Sequence, residues 1–227
     1  MSLVRVHKSY FQELVLEKSY YVLSNHEQTR SNQFSHDQAK EQFIKSRAFL
    51  RQTLSDYVGE PAETLKIANN AYGKPYLEDF DHLHFNVSHS GDVILIAVGH
   101  MQVGIDIEYI DQEFAHDTIS DLVFNISEQQ IVKHQKHDLK AKQFYSIWTK
   151  KEAYLKAKGH GFSCDPQKIS TSCQSGVVVD LENCNASKSW YVKDLPISES
   201  YIASLATPQK NVNIEVVKLH KSRPDQL

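Results

Sequence analysis

Cysteine is scarce in this 227-residue chain: only three occur, Cys164, Cys173 and Cys184. They are odd in number and form no CxxC pair, which argues against a disulfide framework or a structural zinc site and for reduced thiols. Glycine and proline are few as well, at 8 and 6 residues, so collagen-like and low-complexity chains are excluded. No long hydrophobic run exists. The longest, Val93-Ile94-Leu95-Ile96-Ala97-Val98, is far short of the about 18 residues that would span a bilayer. The segment Met1 to Tyr20 mixes polar with apolar residues and carries Arg5, Lys8, Glu13 and Glu17, so it lacks the apolar stretch of a secretory signal. The expected compartment is the cytoplasm. Charge of one sign is not in excess either: the net charge of −3 gives no general attraction for nucleic acid or an anionic membrane, and neither is expected as a partner. Any anion-binding surface must be a local patch.

What is present is an ordinary globular composition, 41% hydrophobic and 23% charged, long enough for one large domain or two modest ones. Val4 to Val22 reads as a strand and a short helical turn. From Ser35 to Tyr57 the apolar residues Phe43, Ile44, Ala48, Phe49, Leu50, Leu54 and Tyr57 recur at three- and four-residue spacing, the stripe of an amphipathic helix with Arg47 and Arg51 on one flank. Gly59-Glu60-Pro61 stops it, and 65–75 reads as a loop. Leu83 to His89 alternates, Val93 to Val98 reads as a buried strand, and Ser90-Gly91-Asp92 joins them tightly. In Val103-Gly104-Ile105-Asp106-Ile107-Glu108 the apolar residues face a core, while Gly104, Asp106 and Glu108 face away together. A short helix is expected at Thr118 to Phe124, another opening at Ser127-Glu128, and a strong one at Gln143 to Lys158, stopped by Gly159-His160-Gly161. Beyond Pro166, four strands are expected at Gly176 to Asp180, Trp190 to Lys193, Tyr201 to Ala206 and Val212 to Leu219, and 222–227 reads as an exposed end. The fold class is therefore α+β, with two similar α+β halves packed side by side, 1–102 and 103–227.

Three segments can carry chemistry. Asp106 and Glu108 are carboxylates on one strand face; the pair suits a hard cation, although alternating charge is also the ordinary solvated face of a strand. On the helix, Trp148, Glu152 and Lys156 stand at i, i+4 and i+8. Alone, Glu152 and Lys156 would be an ordinary surface pair; beside the Asp-x-Glu strand they make three carboxylates rimmed by lysines, suited to magnesium and phosphate. The third segment is Phe85-Asn86-Val87-Ser88-His89-Ser90-Gly91. Ser88 and His89 point to opposite faces and no GxSxG is present, so anion contact is favoured over a hydrolase triad. Of the twelve histidines, His82, His84 and His89 cluster; the His-x-His pair would suit a metal, but scattered surface residues are the favoured reading, with His89 the functional exception.

FNVSHSG, VGIDIE and WTKKEAYLK, in this order, resemble the three signature motifs of the 4'-phosphopantetheinyl transferases. The length and two-unit layout are similar to the Sfp-type group, monomers of two similar α+β halves, and the WxxKEA form points to the branch with tryptophan and alanine in the third motif. The smaller, trimeric holo-acyl-carrier-protein synthase type fits less well. The likeness runs from Arg47 through Gly161, reinforced by Gly73-Lys74-Pro75-Tyr76-Leu77.

The resemblance implies transfer of the phosphopantetheine arm of coenzyme A to a serine of an apo acyl or peptidyl carrier protein, with adenosine 3',5'-bisphosphate released. It implies that Asp106, Glu108 and Glu152 bind Mg2+ on the pyrophosphate, and that Glu152, directly or through water, is the base for the serine hydroxyl. Lys151 and Lys156 would stabilise phosphate charge, Lys156 catalytically. Ser88 and His89 would meet the nucleotide end, His89 at the 3'-phosphate, and Arg47 and Lys74 would also hold coenzyme A. Two other readings use the same residues: a magnesium-dependent pyrophosphate hydrolase, and a non-catalytic module binding coenzyme A or carrier protein. The full set Asp106, Glu108, Glu152 and Lys156 argues against lost catalysis.

Overall fold

The run Val93 to Val98 is apolar without alternation because both of its faces are covered. It forms β5 (Val93–Gly99), buried along its whole length, between β1 (Ser2–Tyr10) and β4 (His84–Ser90), both antiparallel to it. The computed structural model describes residues 2–114, 116–159, 164–171, 176–181 and 189–218; Cys173, Cys184, the His160 and Gly161 of the helix stop and the end at 222–227 lie outside the described residues. One face of β5 packs Ile94, Ile96 and Val98 against Phe49, Leu50 and Leu54 of α3 (Asp37–Val58). The other face packs Val93, Leu95 and Ala97 with Val103, with Ile105 and Ile107 from β6 (Gly104–Tyr109) and with Ala203 and Leu205 from β10 (Tyr201–Thr207). The main core thus lies between two sheets.

The second sheet runs β6, β10, β9 (Trp190–Ser198), β8 (Val177–Asp180), β7 (Ile169–Ser170). α6 (His137–Lys158) covers the face of β6 and β10 turned away from that core. Between β1 and α3 lie α1 (Leu16–Tyr21) and α2 (Asn25–Ser31), and between β6 and α6 lie α4 (His116–Val123) and α5 (Ile126–Lys133). Each half therefore runs strand, two short helices, a long helix and then strands. The long helices match closely: α3 and α6 both span 22 residues and both end on a left-handed glycine, Gly59 and Gly159. The α+β class with two similar halves is what the structure has. β11 (Val212–Lys218), although it follows the second half, pairs in parallel with β1 in the first sheet.

The hairpin and the long second helix are among the elements that differ from expectation. The stretch read as a loop holds a small antiparallel hairpin, β2 (Ile67–Asn69) with β3 (Pro75–Leu77). Its strands are too short to show a period, and its tip is tied by Asn70, whose Oδ1 accepts from the amides of Tyr72 and Lys74, both at 2.9 Å. α6 starts at His137, upstream of Gln143, because Ala141 is buried and lengthens the apolar stripe.

The first half is fastened by charge as well as by apolar packing. Glu27, in the Ser24 capping box of α2, accepts from Arg47 at 2.6 Å and from the Nε of Arg51. Arg51 is only 2% exposed and also donates to the carbonyls of Ala62 at 2.7 Å and Leu65 at 3.0 Å. Burial alone would raise the Glu27 carboxyl, but the charge of Arg47 and the bond from Arg51 outweigh it and hold it below the usual carboxylate range. A depressed value stabilises the fold above the unfolded value and loses that contribution as pH falls through the folded one. Glu27→Gln should therefore cost about 3–5 kcal/mol at neutral pH, the loss expected when a buried arginine loses its counter-charge. The difference from wild type should shrink in acid, below about pH 4. Urea unfolding of both proteins across that range checks this, and a gap independent of pH would contradict it.

Candidate active site at the seam of the two halves

β4 and β6 are edge strands of different sheets, and the polar side chains of β4 close the gap between them. At alternate positions Asn86 Oδ1, Ser88 Oγ and Ser90 Oγ accept from the amides of Ile105 at 2.8 Å, Ile107 at 3.3 Å and Tyr109 at 3.0 Å. The two hydroxyls then donate to the carboxylates beside them, Ser88 to Asp106 Oδ1 and Ser90 to Glu108 Oε2, both at 2.9 Å. One motif thus satisfies the open backbone edge of β6 and orients both of its acids. Gly91 ends the motif because its φ of 54° favours glycine and because a Cβ there would lie 2.6 Å from the Tyr201 hydroxyl oxygen.

α6 supplies the opposite wall. Gly104 lets it approach: a Cβ there would stand 2.0 Å from the carbonyl oxygen of Ala153 and 2.4 Å from the amide nitrogen of Ala157. This contact sets Glu152 and Lys156 against the acids of β6. Lys156 Nζ donates to Asp106 Oδ1 at 2.5 Å and to Ser88 Oγ at 3.1 Å. Asp106 does turn away from the apolar core, as expected, but the helix covers it and leaves it 2% exposed, with its Oδ2 buried and unpartnered. Burial raises the Asp106 carboxyl despite Lys156, and burial with the charge of Asp106 raises Glu108. Glu152 is pushed up to about 7 by burial first and by Asp106 next, against the pull of Lys156. Three acids therefore share a poorly hydrated space and disfavour one another's charge.

Beside them opens a cavity of about 260 Å³ that both halves line. Tyr72, Gly73, Lys74 and Pro75 come from the hairpin tip, Asn86 and Val87 from β4, and Glu152, Leu155 and Lys156 from α6. Lys74 reaches across, donating to the carbonyls of Ala157 at 2.8 Å and Val103 at 3.2 Å, and burial lowers its ammonium to about 8. Asn70 Nδ2 donates to the Gly159 carbonyl at 2.9 Å, so the hairpin is docked on the end of α6.

Asp106, Glu108, Glu152 and Lys156 thus stand together, and Lys74 lines the same cavity as Glu152 and Lys156. Others are placed differently. Ser88 is enclosed beneath Asp106 with its proton committed to that carboxylate, so here it supports the acid and presents no free hydroxyl to the cavity. Lys151 is the clearest correction: it points to another side of α6, bonded to the carbonyls of Pro166 and Ile169 and to Glu128 at 2.8 Å, itself 0% exposed. Arg47 lies by Glu27 in a second cavity, with Arg30 and Lys66. His89 is on the surface with its ring edge toward Phe11, and partial burial with the nearby Lys156 charge lowers its basicity. Two contacts were not foreseen: the bond from Ser90, and that from Trp148 Nε1 to Glu108 Oε1 at 3.3 Å. The alternation Asn-x-Ser-x-Ser was the available signal for the first.

The donors at this seam are the hard oxygens that magnesium takes. The unpartnered oxygen of Asp106 and the mutual repulsion of the acids both fit a cation, although among the described residues no three such groups already stand at metal-ligand spacing.

Two adjoining family models match the chain: "4'-phosphopantetheinyl transferase, N-terminal" over residues 12–101 and "4'-phosphopantetheinyl transferase superfamily" over 102–206. Among curated proteins, it is 34% identical over 145 residues to 4'-phosphopantetheinyl transferase HetI of Nostoc sp., covering 62% of this chain and 61% of that one. With 4'-phosphopantetheinyl transferase gsp of Aneurinibacillus migulanus it shares 35% over 112 residues, 49% of this chain and 46% of the relative. With 4'-phosphopantetheinyl transferase Sfp of Bacillus subtilis it shares 24% over 179 residues, 79% of each chain. The chain thus spans less than two thirds of the length of the first two of these relatives, and more of the third. With its two halves matched by models of one family, and with the acids and lysines gathered where those halves meet, the chain belongs to the 4'-phosphopantetheinyl transferase superfamily.

Proposed function

We propose that this protein transfers 4'-phosphopantetheine from coenzyme A to a serine hydroxyl of an apo acyl or peptidyl carrier protein, releasing adenosine 3',5'-bisphosphate. The observation that carries the reading is the seam itself: three carboxylates and Lys156 beside a cavity bounded by both halves. In the reaction the serine oxygen bonds to the pantetheine-bearing phosphorus as the bond from that phosphorus to the bridging oxygen breaks, and the bridging oxygen leaves with the nucleotide. Glu152, on the cavity wall one turn before Lys156, takes the serine proton, directly or through one water. Lys156 faces the developing charge on the leaving phosphate. Asp106, Glu108 and Glu152 would hold a magnesium ion, which when bound supplies neutralisation of the pyrophosphate oxygens.

Lys74 is assigned to coenzyme A as part of the cavity wall. On resemblance, His89 keeps its assignment to the 3'-phosphate of the nucleotide and Arg47 its assignment to coenzyme A. We place the chain in the WxxKEA branch of the Sfp-type group on Trp148, Lys151, Glu152 and Ala153, and expect a cytoplasmic monomer with units 1–102 and 103–227.

Apo carrier protein incubated with the enzyme should gain the mass of phosphopantetheine only when coenzyme A and a divalent ion are both present. Full modification in excess chelator would contradict the role of the acids. Glu152→Gln should lower the maximal rate by about 10²–10⁴-fold at saturating magnesium and coenzyme A, the usual range for a general base. Mass spectrometry of the carrier over time checks it, and near-normal turnover at high magnesium would leave Glu152 no role as base.

A further inference from the structure

Lys156 stands where an added cation would have to go. Its ammonium bonds Asp106 Oδ1 and Ser88 Oγ, while the remaining oxygen of Asp106 is buried without a partner. Of the two partners the acid is the fixed one: the Asp106 side chain is 3% exposed and held by Ser88, whereas the Lys156 side chain is 31% exposed on a flexible stem. An ammonium and a divalent ion on one buried carboxylate would repel each other strongly in so poorly hydrated a place.

We propose that Lys156 is the resident counter-ion of Asp106, and that a divalent ion enters only as Lys156 moves from Asp106 to a phosphate oxygen of coenzyme A. This rests on the reading of the three acids as a divalent-ion site and adds a coupling to it: ion and coenzyme A bind together more tightly than either binds alone. Lys156 then has two successive partners. It neutralises Asp106 in the free protein and the pyrophosphate in the complex, so the buried acid is never left without a cation.

The test is a calorimetric titration of Mn2+ into the full-length protein, with and without coenzyme A. Without coenzyme A, Lys156→Gln should bind Mn2+ at least about fivefold more tightly than wild type, the lower end of ordinary coupling between two ligands. Lys156→Arg, which keeps a cation there, and Lys158→Gln, which removes a charge elsewhere on the helix, should bind like wild type. Coenzyme A should tighten Mn2+ binding by wild type and do so much less for Lys156→Gln. Equal or weaker Mn2+ binding by Lys156→Gln overturns the proposal while leaving the ion site standing. Absence of Mn2+ binding by every form, coenzyme A included, overturns the ion site and the proposal with it. The wild-type comparison does not depend on the variant folding: an unchanged Mn2+ affinity on adding coenzyme A would also refute the coupling.

Discussion

The bonding of β4 side chains onto the open edge of β6 is the constraint on which the rest of the structure depends. Two sheets meet there without a shared backbone ladder, and buried amides cannot go unpaired without a penalty of about 1–3 kcal/mol each. Asn86, Ser88 and Ser90 supply the missing acceptors. Because a hydroxyl accepts and donates at once, the residues that join the halves also grip the acids of β6. The acids are therefore held at the junction and not on a loop, and the cavity beside them exists only while both halves are in place.

Three of the six lysines of α6 have three different tasks. Lys150 pairs with Asp194 at 3.0 Å near the surface, Lys151 is buried on Glu128, and Lys156 reaches Asp106. Helical phase separates them. Lys151 falls on the stripe Phe144, Ile147, Trp148, Leu155, so a charged residue there must be paired in the interior. Lys156 follows Glu152 by one turn and shares its face. Treating the motif as a string gave Lys151 a phosphate that its position on the helix denies it.

Much of the fold was legible because its elements are long and periodic. The unbroken apolar run of β5, the alternation of β6 and the stripes of α3 and α6 all appear in the structure. Missing were features with no local period: the three-residue strands of the hairpin, and the pairing of β11 with β1, which joins the two ends of the described chain. The spacing of Asp106, Glu108, Glu152 and Lys156 was legible, whereas the burial of Asp106 was not. Gly104 was its only local sign, since a glycine between Val103 and Ile105 marks where a helix backbone comes close.

The central claim is that catalysis is centred on the seam, with a divalent ion among Asp106, Glu108 and Glu152. Locating Mn2+ by its anomalous scattering in crystals grown with coenzyme A tests it most directly. The account predicts one strong peak within ligand distance of those carboxylates, with the pyrophosphate beside it. Mn2+ and pyrophosphate found together away from these carboxylates would contradict it.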